Sequence, residues 1–331
     1  MVDASIILQV NTKTVRLEKQ KDACMVPFAG SILFAFQRKI LTLQSHNPHT
    51  MDRQELITQI YSKGTYLCVG LDTDPEKLPD VLKNDPDGVF SFNKNIIDAT
   101  RDHCVAYKIN TAFYEAMGSK GWDLLERTAA YLPDTHFRIA DAKRGDIGNT
   151  SAQYAKAFLQ MMPFDSVTIA PYMGADSVQP FLAYEGKWGI VLGLTSNKGA
   201  EDFELQPMAR EGSPKLFEEV LRKVSQWGNT GNLMFVVGAT QADAFIRIRE
   251  IIPDHFLLVP GVGAQGGSLE EISRKALNSE CGLLVNASRA IQYASSGIDF
   301  AEKAKAVASA YHTEMTGYLL PRIREIGRTP C

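Results

Sequence analysis

The sequence predicts a single-domain α/β protein, a (β/α)8 TIM barrel, on three observations. Short, apolar, β-prone runs recur eight times along the chain, at residues 66–71, 104–109, 136–140, 166–170, 188–194, 233–238, 256–259 and 282–286. Segments of helical period lie around and between them, at 52–61, 122–131, 151–161, 214–227, 241–251 and 268–277. Most of the strand runs are apolar on both faces, the pattern of a parallel sheet with helices outside it. Eight such repeats close into a barrel, and this fold routinely occupies about 250 residues as one domain. A chain of 331 residues therefore does not require two.

The barrel is expected over residues 51–320, with a C-terminal tail at 321–331. Residues 1–50 do not resemble the rest. An apolar run at 25–36 follows Lys13, Arg16, Lys19 and Lys21 and precedes Arg38 and Lys39, which superficially imitates a secretory signal. The stretch before the run is long and carries Glu18 and Asp22, the run holds Pro27 and Gly30, and no A-x-A site follows. The expectation is a disordered tail or an upstream extension of the reading frame, with Met51 the natural start.

The net charge of −3 argues against a nucleic-acid partner, which would favour a basic stripe. Five cysteines, Cys24, Cys68, Cys104, Cys281 and Cys331, are odd in number and widely spaced, without CxxC or a Cys/His cluster. Free thiols of this kind fit a reducing, cytoplasmic setting. No run is long enough to span a membrane.

In a barrel of this type the functional groups gather at the C-terminal ends of the strands. Strand one ends in Gly70-Leu71-Asp72-Thr73-Asp74-Pro75, strand two in Tyr107-Lys108-Ile109-Asn110, strand five in Leu194-Thr195-Ser196-Asn197-Lys198-Gly199. Strand seven ends in a glycine-rich stretch from Val259-Pro260-Gly261 through Gln265 to Gly267, and strand eight in Val285-Asn286-Ala287-Ser288-Arg289. A glycine-rich loop beside an arginine suits an anion, and the loops after strands seven and eight are the usual phosphate site of the fold. Polar residues therefore crowd one rim, and a phosphorylated ligand is expected there. The six histidines, His46, His49, His103, His136, His255 and His312, avoid that rim, which disfavours a histidine general base and places His136 and His255 at the bottom face or the surface.

The densest signal is Asp141-Ala142-Lys143-Arg144-Gly145-Asp146-Ile147-Gly148-Asn149-Thr150, between the third strand and the helix after it. Asp141 and Lys143 are two apart, so an extended strand points both to one face. A lone D-x-K is a commonplace salt bridge, but the full D-x-K-x-x-D-I-x-x-T pattern resembles the signature of the orotidine 5′-phosphate decarboxylase family, in its longer-chain bacterial branch. The resemblance covers residues 67–291. It implies conversion of orotidine 5′-monophosphate (OMP) to UMP and CO2 in pyrimidine biosynthesis, with no cofactor and no metal. Lys143 would be the proton donor beside Asp141, and Lys108 part of the charged network. Asp72 would hold the ribose hydroxyls, Ser196 would read the pyrimidine amide, and Gln265 and Arg289 would bind phosphate. Asn110 and Pro260 would also line the substrate site. Asp146 and Thr150 would reach into the site of a partner subunit, which implies a homodimer.

Plainer readings stand beside these. Asp72 could cap the helix that follows it, Lys108 could snorkel to the surface, and serine is common in a turn like that around Ser196. Two other functions compete. One is a metal-dependent sugar-phosphate decarboxylase of the same barrel superfamily, which would want further rim carboxylates as ligands; the other is a non-catalytic nucleotide-binding barrel. The segments 197–212 and 261–267 are the natural lids.

Overall fold

In the computed structural model, which describes residues 50–241, 243–263 and 266–326, each of the eight apolar runs is a strand of one closed barrel. These are β1 (Leu67–Gly70), β2 (Ala106–Asn110), β3 (Phe137–Arg144), β4 (Ser166–Ile169), β5 (Trp188–Leu194), β6 (Leu233–Val237), β7 (Phe256–Pro260) and β8 (Leu283–Ala287). They pair in chain order, all in parallel, and β8 returns to β1 with Cys68 opposite Asn286. Closure leaves no strand edge to solvent. Every residue of β1, β4, β6 and β8 is buried, which is why these strands read as continuous apolar runs.

Local chemistry sets the helix boundaries. The helix Arg53–Lys63 starts where the Asp52 carboxylate accepts the Glu55 N–H at 2.9 Å, and it ends at Gly64, whose φ is 65°. Leu269–Ala276 starts at Ser268 and carries Glu270 and Glu271 in its first turn and Arg274 and Lys275 in its last, each sign complementing the helix dipole. The Tyr66 hydroxyl reaches Ser273 Oγ on that helix at 2.6 Å, so a fully buried phenol is satisfied where the helix docks on the barrel.

The bottom of the barrel is sealed by aromatic rings from alternate strands. Trp188, the first residue of β5, meets Phe137 of β3 and Phe256 of β7 edge-on, the layering expected of this fold. The Trp188 indole donates to the carbonyl of Met51 at 2.9 Å, so the segment before the first helix is part of the plug. His136 and His255 precede β3 and β7 at this same end and are buried. Neither lies at the surface.

The helices Gly88–Thr100 and Ala175–Leu182 are not expected from the sequence, and two expected boundaries shift. The third strand runs four residues past Ala140, because its pairing with β4 slips between Ala140 and Arg144 and the strand continues through the irregularity. The last helix, Phe300–Ile326, passes the expected boundary at 320/321 unbroken, although it contains Pro321. It packs on the helix Gly88–Thr100 and on β1. Of the expected N-terminal extension, residues 1–49 lie outside the described residues. Among the described residues, no helix is long and apolar enough to cross a membrane.

Candidate active site

The first three strand ends bring two carboxylates and two ammonium groups into one alternating chain. Lys108 Nζ donates to Asp72 Oδ1 at 3.1 Å and to Asp141 Oδ2 at 2.9 Å, and Lys143 Nζ donates to Asp141 Oδ1 at 2.6 Å. Strand register produces this order, since Gly70 pairs with Lys108 and Asn110 with Asp141. The Lys108 side chain is 4% exposed and that of Asp141 10%, whereas Lys143 is 50% exposed. Lys108 therefore does not snorkel. The helix cap after β1 is supplied by Asp74, which accepts the Glu76 N–H, while the carboxylate of Asp72 takes Lys108 and the Asn110 N–H.

Burial alone would push the Asp141 carboxyl up, and it is the largest single influence on that group. The ammoniums of Lys108 and Lys143 together outweigh it and hold Asp141 well below the usual carboxylate range. Burial likewise opposes the charge on Lys108, but Asp141 and Asp72 outweigh it and raise Lys108 above the ordinary lysine value. Both groups are thus ionised across the neutral range. By linkage, the contribution of Asp141 to stability is lost only as pH falls from about 4 through its lowered value. That of Lys108 is lost only as pH rises from about 10.5 through its raised one.

The backbone at the centre of this array is strained. Lys143 has a φ of 45°, a left-handed conformation that costs a non-glycine residue about 1–2 kcal/mol. Thr168 of β4 holds it in place: its hydroxyl accepts the Lys143 N–H at 2.9 Å and donates to Asp141 Oδ1 at 2.9 Å. One hydroxyl thereby fixes both the strained peptide and the carboxylate that receives the lysine.

The array forms one wall of a pocket of about 500 Å³. Of the sequence-predicted site residues, Asp72, Lys108, Asn110, Asp141, Lys143, Ser196, Pro260 and Arg289 line it. Apolar side chains from the barrel interior, Leu192, Val236 and Leu258, line it as well, giving the charges a low-dielectric surround. Asp146 and Thr150 do not line the pocket of their own chain; the Asp146 carboxylate accepts the N–H of Ile147 at 2.7 Å. Gln265 lies outside the described residues. None of His103, His136, His255 and His312 lines the pocket.

Sequence reasoning missed several participants. Asn286, Ser288, Lys77 and Tyr293 line the pocket. Asn286 and Ser288 stand in a strand ending already read as polar. Lys77 and Tyr293 carry no sequence signal, because they meet only through the fold, the ammonium lying 5.8 Å from the ring centroid. Thr168 had one available sign, a second hydroxyl after Ser166 in a four-residue strand that is buried throughout. The close approach of the β5 and β6 ends rests on Gly238, where a Cβ would stand 2.6 Å from Ser196 Cβ and N.

A closed parallel barrel with a half-open lysine on a buried, charge-balanced array at its C-terminal mouth is the architecture of a barrel enzyme acting through preorganised charge. The family model described as orotidine 5′-phosphate decarboxylase / HUMPS matches residues 65–306. The chain is 56% identical over 272 residues to an orotidine 5′-phosphate decarboxylase of Bacteroides fragilis, covering 81% of this chain and 98% of the relative. It is 54% identical over 273 residues to one of Christiangramia forsetii, covering 81% and 99%. Among solved structures, a putative orotidine-monophosphate decarboxylase of Toxoplasma gondii superposes with a TM-score of 0.75 at 31% identity, covering 85% of this chain and 100% of that one. The OMP decarboxylase of Leishmania donovani does so with 0.69 at 32%, covering 82% and 99%. The chain belongs to the orotidine 5′-phosphate decarboxylase / HUMPS family.

Proposed function

We propose that the protein decarboxylates OMP to UMP and CO2 for pyrimidine nucleotide synthesis, without metal or cofactor, with Lys143 delivering the proton. The observation that carries this reading is the Asp72–Lys108–Asp141–Lys143 chain, which leaves one ammonium half-exposed in the pocket. When the C6–CO2 bond breaks, its electron pair stays in the plane of the ring, where the π system cannot take it up. The remaining source of stabilisation is a fixed positive charge next to C6. The Lys143 ammonium is held there by Asp141, and it then transfers a proton to C6 while the pair becomes the C6–H bond.

One such contact supplies a few kcal/mol, whereas enzymes are asked for about 8–23 kcal/mol of barrier reduction. Binding energy from a remote group supplies more if it is used to organise the site. Arg289 and the Gly261 end of the loop after β7 stand in the pocket as the anchor for the 5′-phosphate. Gln265 belongs to the same reading as a phosphate contact, and Asp72 and Asn110 to the ribose. Ser196, at the end of β5, belongs to the pyrimidine edge, and Pro260 shapes the wall.

The sugar-phosphate reading with a bound divalent ion fits less well, because Asp72 and Asp141, the two carboxylates that line the pocket among the described residues, are both committed to ammonium groups. The test is the loss of OMP absorbance with purified protein, with and without EDTA, beside Lys143→Ala. Turnover that ignores the chelator and disappears in the variant supports the reading. A folded wild type that binds UMP without turning OMP over would refute it in favour of a nucleotide-binding barrel.

The working unit in this reading is a cytoplasmic homodimer with the rims facing, Asp146 and Thr150 completing the partner's site. The exposed apolar residues Ile147, Tyr172 and Met173 beside that rim support it. Mixing Lys143→Ala with Asp146→Ala subunits tests it. Shared sites restore up to roughly a quarter of wild-type activity, since half of randomly paired dimers then hold one intact site of two. Sites complete within one chain restore none.

A further inference from the structure

Two elements that line the pocket are joined by a buried polar chain whose own side chains, Gln292, Thr73, Asn93 and Tyr114, do not line it. The short helix Arg289–Gln292 presents Arg289 to the pocket at its start. At its end, the Gln292 side chain is fully buried and uses both ends of its amide. Its Oε1 accepts the Asp72 N–H at 3.1 Å, and its Nε2 donates to Thr73 Oγ1 at 2.8 Å. Thr73 donates on to Asn93 Oδ1 at 2.6 Å, and Asn93 Nδ2 donates to the Tyr114 hydroxyl at 3.0 Å. Tyr114 closes the circuit on the carbonyl of Leu71 at 3.0 Å. The next residue of the same turn, Tyr293, accepts the Asp74 N–H at 2.9 Å. The turn 71–74, which carries Asp72 into the charged array, is therefore clamped to the element that carries Arg289.

Such a chain is costly to keep in an apolar surround unless every member is satisfied, and here it forms a rigid unit. Rigid, fully paired units transmit displacement, whereas an apolar contact at the same place would let the turn and the helix slide independently. We propose that Gln292 is a positioning residue that couples occupation of the phosphate end to the placement of Asp72 at the ribose end. A ligand bearing a phosphate then gains more from Asp72 than one lacking it. This rests on the reading of Arg289 as the phosphate contact and of Asp72 as the ribose contact.

The experiment measures calorimetric affinities of UMP and uridine for the full chain. It compares wild type, Arg289→Ala, Asp72→Asn, Gln292→Leu and the double variant Asp72→Asn/Gln292→Leu. Arg289→Ala tests the underlying reading separately: it must weaken UMP and leave uridine unchanged, and if it does not, the phosphate assignment fails on its own. With that result secured, coupling requires Asp72→Asn to cost UMP more than uridine, by about tenfold, in the wild-type background. In the Gln292→Leu background, Asp72→Asn must cost both ligands equally. A merely structural role for Gln292 lowers thermal stability and leaves the UMP preference for Asp72 intact, which overturns the proposal. So does an equal cost of Asp72→Asn to both ligands in the wild type. Should Gln292→Leu not fold, Thr73→Val removes the Nε2 half of the link with little change of shape; it must reduce the excess cost of Asp72→Asn to UMP over uridine, and an unchanged excess overturns the proposal.

Discussion

Thr168→Val isolates the device that holds Lys143. Thr168 is fully buried and does not line the pocket, so the change deletes a hydroxyl without touching a ligand. Two hydrogen bonds are lost, each 2.9 Å in the wild type, and each contributes about 1 kcal/mol net. The Lys143 N–H, left without this partner, adds about 1–3 kcal/mol, so a stability loss of about 3–5 kcal/mol is expected. The larger effect falls on rate. The strained backbone at Lys143, φ 45°, is free to relax, and a misplacement of about 1 Å at a reacting group costs on the order of 100-fold. Steady-state assays of OMP loss, run beside urea unfolding, should show kcat down about 10- to 100-fold and KM changed less than about threefold, because binding groups are untouched. Thr168→Ser, which restores the hydroxyl, should recover most of kcat. A Val variant with wild-type kcat, or a Ser variant no better than Val, refutes the argument that this hydroxyl orders the lysine.

Three further outcomes are expected. Asp141→Asn leaves Lys108 with Asp72 alone and Lys143 without its anchor. Breaking a buried ion pair from one side costs about 3–5 kcal/mol, so urea unfolding should show a loss of that size, with OMP turnover reduced on the order of 10³-fold; retention of either property contradicts the array. Gly238→Ala places a methyl 2.6 Å from Ser196 and forces the β5 end to move, at about 1–3 kcal/mol; UMP affinity should fall while the Lys143→Ala defect is not reproduced. His136 and His255 are held down to about 4, chiefly by burial and then by the cations Lys63 for His136 and Arg53 with Arg249 for His255. Their folded values lie below the unfolded one, so their contribution is complete above about pH 6.5 and is lost as pH falls towards 4. Urea unfolding at pH 5 against pH 7 should show a loss of about 2 kcal/mol per histidine, and His255→Gln should remove its share of that slope.

The fold was legible because its strands are buried on both faces, and a run such as residues 233–238 needs no tertiary information to be recognised. Helices with caps or charged termini, as at Ser268 and Arg274, were equally plain. Those at Gly88–Thr100 and Ala175–Leu182 were not, since the first buries the polar Asn93 and the second contains Pro180, each masking the helical pattern. The site divides along the same line. Residues at strand ends, Asp72, Lys108, Asp141, Lys143, Ser196, Pro260 and Arg289, were put on the rim by their position in the repeat and singled out there by the family resemblance around Asp141–Thr150. Thr168, Gln292 and Tyr293 act on groups far away in sequence, Gln292 on Asp72 across 220 positions, and only closure of β8 onto β1 brings those two together.

The third strand shows why the remaining discrepancy falls where it does. Its sequence reading stopped at Ala140 because Asp141, Lys143 and Arg144 have no place in a buried strand on local grounds. The structure keeps the strand going by giving each charge a partner: Lys108 and Lys143 for Asp141, and Glu115 for Arg144. The price of this is the left-handed residue and the slipped register. A sequence selected only for stability would replace Asp141 and Lys108 by apolar residues of similar volume, since buried ion pairs are often neutral or worse than such replacements. Retention of the pair, together with a strained lysine that opens into a pocket, is consistent with a site in which charge placement outweighs the cost of burying it.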